Sequence, residues 1–221
     1  MSNHWKELRI IVLIIFSAFV LLNLVISGYY ILSGGISSFG MENLLEDRVL
    51  MLSLNSLSIM IFISPYFYVN KLSNYSIKIF PINSTPVILV LLLTFFFMIL
   101  NSGVIEWNKS INFPEFMNSF ETWAFNKEKE LEKITIFLVS FENNWEFLFG
   151  ILSIALIPGI CEEYLFRGVL QKNFYLISKN IHIAVWLSAF FFSALHLQFY
   201  GFFPRMLLGV LFGYVYYWSG S

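Results

Sequence analysis

Long apolar runs, not alternation, set the pattern of this chain. Ile10–Tyr30, Val49–Val69 and Pro86–Ile105 are each free of charge, and Asn23 is the most polar member of the first. A bilayer core of about 30 Å is crossed by about 20 apolar residues in a helix. Reading on at that period gives six hydrophobic segments, roughly 10–32, 49–69, 86–105, 147–168, 182–199 and 203–218. The last three carry polar and ionisable residues, so they are expected to face protein rather than lipid.

Residues 106–146 differ in kind. They hold eight glutamates and four lysines, and the run Lys127–Lys133 alternates in sign. Phe113, Phe116, Met117, Phe120, Trp123 and Ala124 recur at helical spacing, and Pro114 suits a helix start. An amphipathic helix lying at the membrane interface is expected here. Its plain reading is a connector towards the fourth span; its functional reading is a substrate gate. The expected fold is therefore all-α: a multi-pass transmembrane helical bundle of about six spans plus one amphipathic interfacial helix.

Composition sharpens the class. Of 221 residues, 58% are hydrophobic and 12% charged, about half the charged share of a soluble domain. The net charge of −1 comes with no basic block, which excludes a nucleic-acid partner. The one cysteine, Cys161, has no intrachain partner. The first apolar run is too long for a signal peptide and is read as a retained span. With no internal repeat, 1–221 is read as a single multi-pass membrane domain, placed in the cell membrane. Three spans fill 10–105, the interfacial helix 106–146, and motif-bearing spans 147–221. Lysine and arginine counts favour a cytoplasmic N-terminus only slightly.

The chemistry sits in the last third. Glu162, Glu163 and Arg167 fall within six residues of an apolar helix. Facing lipid, they would cost about 7–10 kcal/mol by the insertion scale, so a protein interior or a wet cavity must hold them. Glu163 and Arg167 are four apart with the acid first, the better order for a pair within a helix. Glu162 points about 100° away. Arg167 is thus expected to neutralise Glu163 rather than Glu162, and a partly desolvated Glu162 suits a general base. Pro158 and Gly159 can bend the helix just before the pair.

His196 lies in the fifth segment. If spans four and five turn near Lys179-Asn180, Glu162 and His196 are each about 25 Å from the turn at 1.5 Å per residue, at matching depth. Plainer roles exist for each group: packing glue for the ion pair, a satisfied polar residue for the histidine. Cys161 reads as a small buried hydrophobe. His182 is at the wrong end of its helix to join the site. Arg205 follows Pro204 and is expected to snorkel, and Gly209 with Gly213 forms a GxxxG close-packing signal.

Glu162-Glu163-Tyr164-Leu165-Phe166-Arg167 resembles the EExxxR motif of the CPBP intramembrane proteases, also called the Abi family. CAAX prenyl endopeptidases and bacteriocin-immunity proteins are among its members. Phe192–His196 resembles the family's FxxxH motif, and 205–221 resembles the glycine-bearing helix before a third motif. The resemblance covers 154–221. It implies proteolysis of a membrane-associated peptide or protein, with Glu162 and His196 activating water and Glu163 and Arg167 in support. In the family a further helix brings a histidine and an asparagine. The sequence ends at Ser221, at the preceding turn, so no residue matches those positions. Losing an oxyanion donor typically lowers the rate ~10²–10³-fold, and an inactive membrane protein with an immunity or scaffold role is the alternative. The family's metalloprotease label makes Zn²⁺ a possible cofactor. Catalytic zinc wants three protein ligands, and Glu162 and Glu163 diverge on their helix, so metal-independent chemistry is expected.

Overall fold

The computed structural model describes residues 3–34, 48–65 and 84–219. Every regular element among them is helical. In chain order these are α1 (Asn3–Gly34), α2 (Arg48–Met60, followed by a tight turn at Ile61–Ile63), α3 (Ser84–Lys109), α4 (Asn118–Val139), α5 (Asn144–Ser178), α6 (Ile181–Ala194) and α7 (Phe202–Ser219). Two stretches, Val87–Lys109 and Asn144–Ser178, are long and apolar enough to cross a membrane, while α2 and α6 are shorter apolar helices. Residues 66–69, the end of the expected second span, lie outside the described residues. The chain forms two compact units. One comprises Met1–Tyr75 with Glu132–Val169, the other Ser76–Leu131 with Leu170–Ser221.

In the first unit, the start of α5 is fixed by its own sequence. Asn143 is the N-cap, its side-chain oxygen accepting from the Glu146 backbone N–H at 2.9 Å. Glu146 in turn accepts from the Asn143 amide at 2.9 Å and from the Glu142 backbone N–H at 3.1 Å. This is close to a capping box, with asparagine in the serine place and the acid reaching the N–H of the residue before the cap. Arg48, at the first residue of α2, ties into the same corner. Its Nε donates to the Phe137 carbonyl at 2.9 Å, one Nη donates to the Glu146 carboxylate, and the other lies 3.5 Å from Glu142. Gly150 lets the Phe141 ring lie against the helix, because a Cβ there would overlap the ring and push it aside.

Helix α5 is not uniformly wound. Ile151–Leu156 and Tyr164–Gln171 adopt wide turns with i→i+5 hydrogen bonds, flanking a regular Ile157–Glu163. Proline explains part of this. In the wide register Ile157 N–H bonds Leu152 O, so residue 158 would donate to the Ser153 carbonyl. Pro158 has no N–H to give. The Asn55 amide of α2 takes its place, donating to Ser153 O at 3.0 Å. Pro158 thus both loosens the helix and creates the acceptor that docks α2.

In the second unit, α5 ends where Lys179 takes a left-handed conformation (φ 56°). Asn180 then caps α6, accepting from His182 and Ile183 backbone N–H groups at 2.9 and 3.3 Å. Helices α6 and α7 pack along the glycine stripe. A Cβ on Gly209 would meet Ala189 Cβ at 3.0 Å, and one on Gly213 would meet Val185 Cγ1 at 2.9 Å. The Gln171 amide donates to the Gly213 carbonyl at 2.9 Å. Asn108 of α3, fully buried, holds the entry to α7: its amide donates to Phe199 O and its oxygen accepts from Phe203 N–H, both at 3.1 Å. Asn101 donates to Pro204 O at 3.1 Å.

The expected helix within 106–146 is present as α4, with Pro114 at the turn Glu115–Met117 just before it. Its apolar side is used unevenly. Ala124 is buried and Phe113 and Phe120 pack with Phe199, whereas Phe116 is exposed. The expected fifth span, 182–199, is corrected: the helix stops at Ala194. Leu197 takes a left-handed φ of 53° and the chain reverses before α7. Apolar composition alone ran two elements together.

Candidate active site

Glu162, Glu163 and Arg167 belong to the first unit, and His196 to the second. The three charged residues straddle the junction between the regular segment of α5 and its second wide turn. Arg167 is 2% exposed, and its Nε lies 3.3 Å from a carboxylate oxygen of Glu163, which is 46% exposed. The pair is therefore lopsided: the cation is enclosed while the acid reaches outward. Glu162, half-buried, also acts electrostatically on Arg167. The expected pairing of Arg167 with Glu163 is present. Cys161 is buried, as a small hydrophobe would be.

His196 is not inside a helix. It sits in the reversal between α6 and α7, with its backbone N–H bonded to Ser193 O at 3.2 Å. Its Nδ1 lies 2.8 Å from the Phe192 carbonyl, and the two rings meet edge to face at 5.2 Å. A carbonyl can only accept, so Nδ1 carries the proton. The neutral ring then holds its lone pair at Nε2, ready to accept a proton. The FxxxH spacing is what makes this bond, since Phe192 is one helical turn before His196. Ser193 steadies the reversal by donating to Phe202 O at 2.6 Å.

Arg205 does not follow the snorkelling expectation. It is half-buried, and its Nη2 donates to the Gln198 side-chain oxygen at 2.5 Å. A polar partner one reversal away draws it inward. His182 pairs with Tyr214 at 2.6 Å, which gives it a local role apart from His196. Tyr200, in the same reversal, has its phenol pushed above the usual value, first by burial and then by Glu121 and Glu128 of α4. Gln198, Asn108 and Asn101 went unnoticed in the sequence. Their signal was an amide in an otherwise apolar setting.

The family model described as type II CAAX prenyl endopeptidase Rce1-like matches residues 144–221. This stretch of the chain is Rce1-like. The match takes in both the EExxxR and the FxxxH positions and bears out the resemblance to the CPBP/CAAX family. By its description that family is one of endopeptidases, which are proteases. No curated protein and no solved structure matches the chain.

The family's metalloprotease label calls for a test of the donor set. Among the described residues, no group of three or more His, Cys, Asp or Glu side chains is placed to hold a metal ion. Catalytic zinc normally takes three protein ligands, and neither unit taken by itself offers such a set among the described residues.

Proposed function

We propose that this chain is a multi-pass intramembrane endopeptidase of the CAAX-protease type, acting on a membrane-associated peptide or protein in the cell membrane. The observation that carries this reading is the enclosed Arg167 paired with Glu163, next in sequence to Glu162, midway along a helix long enough to cross a bilayer. Buried charge in such a helix is expensive and marks function by default. Its place within the Rce1-like stretch supports proteolysis over other intramembrane uses of Glu, Arg and His.

In this mechanism Glu162 takes a proton from a water molecule, and the oxygen so activated adds to the peptide carbonyl. Arg167 and Glu163 support Glu162, the guanidinium supplying positive charge close to the acids. His196, with its lone pair at Nε2, is the second proton acceptor of this mechanism, as the FxxxH resemblance implies. The proton taken from water passes to the leaving amine as the C–N bond breaks. About six spans and an interfacial α4 complete the arrangement.

The test is Glu162→Gln, which keeps shape and removes the base. Reconstituted in vesicles with a lipid-anchored peptide, the variant should lose cleavage while keeping the wild-type circular dichroism spectrum. Undiminished turnover would sink the mechanism. If Glu162→Gln and Glu163→Gln both merely lower the yield of folded protein, the cluster is structural.

A further inference from the structure

We propose that Phe113 and Phe120, at the start of the interfacial helix α4, position His196 by clasping the Phe199 ring. All four residues belong to one compact unit. Phe199 follows His196 by three residues in the reversal between α6 and α7. Its ring centre lies 4.9 Å from that of Phe113 and 5.7 Å from that of Phe120, and those two rings are 5.2 Å apart. The three close a triangle, each pair at a separation and tilt that aromatic rings favour. The backbone is caught at the same place, where Asn108 of α3 donates to Phe199 O and accepts from Phe203 N–H.

A hold on Phe199 reaches His196 because the reversal is bonded to itself. Leu197 N–H donates to Ala194 O at 3.1 Å and Phe202 N–H to Phe199 O at 3.0 Å. Ser193 Oγ donates to Phe202 O at 2.6 Å. The bond from His196 Nδ1 to Phe192 O fixes which ring nitrogen carries the proton. Residues 195–201 lie between the two helices, so side chains rather than a helical ladder fix where the reversal stands against α3 and α4. The inference rests on the proposed endopeptidase function, in which His196 accepts a proton. A reacting group misplaced by ~1 Å can cost ~10²-fold in rate, so rings that never meet the substrate set kcat through the histidine.

The experiment uses the full chain in vesicles with a lipid-anchored peptide. Phe199→Leu and the double variant Phe113→Leu with Phe120→Leu keep apolar bulk and lose the rings. In both, kcat should fall ~10–10²-fold while KM stays within about threefold of wild type. Phe120→Tyr, which keeps the ring, should restore kcat to within about threefold. So should Phe116→Leu, since Phe116 is 85% exposed and outside the triangle. Hydrogen exchange of the amides of 195–203 should quicken about tenfold in the double variant, with those of α3 unchanged.

A kcat within about threefold of wild type in the leucine variants, or a loss as large in Phe116→Leu, overturns the proposal and leaves the protease reading intact. Should one leucine variant not fold, the other decides, together with Phe113→Leu alone. If the wild-type chain does not cleave the peptide, the protease reading is what fails. Exchange then judges the clasp by itself: faster exchange confined to 195–203 upholds it, and wild-type protection there overturns it.

Discussion

The Arg167 guanidinium lies 3.3 Å from the Glu163 carboxylate, one member enclosed and the other nearly half exposed. Removing the acid therefore harms more than removing the base. Breaking a fully buried pair costs about 3–5 kcal/mol. Exposure of Glu163 and the presence of Glu162 reduce that, and Glu163→Gln is expected to destabilise by about 1–3 kcal/mol. Arg167→Met added to it should recover most of the loss, since no charge is then left enclosed without its acid. Thermal unfolding of the single and double variants in detergent checks this. Additive losses would show the two residues to be uncoupled.

The contact between α6 and α7 makes a second prediction. Gly213→Ala places a methyl group 2.9 Å from Val185 Cγ1 and 3.0 Å from Gln171 Oε1. Overpacking of this kind costs about 1–3 kcal/mol. Pairing it with Val185→Ala removes one of the two clashes and should restore part of the loss. Melting temperatures of the three variants are the measurement, and a Gly213→Ala protein as stable as wild type contradicts the packing.

Leu197 supplies a third. A left-handed conformation costs a side-chain-bearing residue about 1–2 kcal/mol, and this leucine holds φ at 53° directly after His196. Leu197→Gly relieves that strain and should match or exceed wild-type stability. Leu197→Val, branched at Cβ, should fall below it. If the reversal is what aims His196, Leu197→Val also lowers cleavage more than its loss of folded protein explains. Equal melting temperatures for the two variants would argue against the conformation.

Much of this was legible in the order of residues. The turn at Lys179-Asn180 showed because asparagine caps and tolerates tight turns, and α4 showed because Pro114 and a helical aromatic period mark its start. Gly209 and Gly213 announced close packing. The pairing of Glu163 with Arg167 followed from their spacing.

Other features were hidden for physical reasons. Nothing in composition separates a regular turn from a wide one, so the wide segments of α5 could not be read. The end of α6 was missed because Leu195, Leu197 and Phe199 look as apolar as the helix before them. What stops that helix is a backbone angle, not a change of polarity. Arg205 was misplaced because its partner Gln198 lies across a reversal that local pattern does not reveal.

The length of α5 has one more consequence. A helix crossing the hydrocarbon slab needs about 20 residues within it, and Asn144–Ser178 supplies 35. Slide a window of about that size from one end to the other, and every position still contains Glu162 and Glu163. On the proposed reading, the twin acids lie within that slab or at its edge at every vertical offset of this helix, and a peptide must reach that depth to be cut.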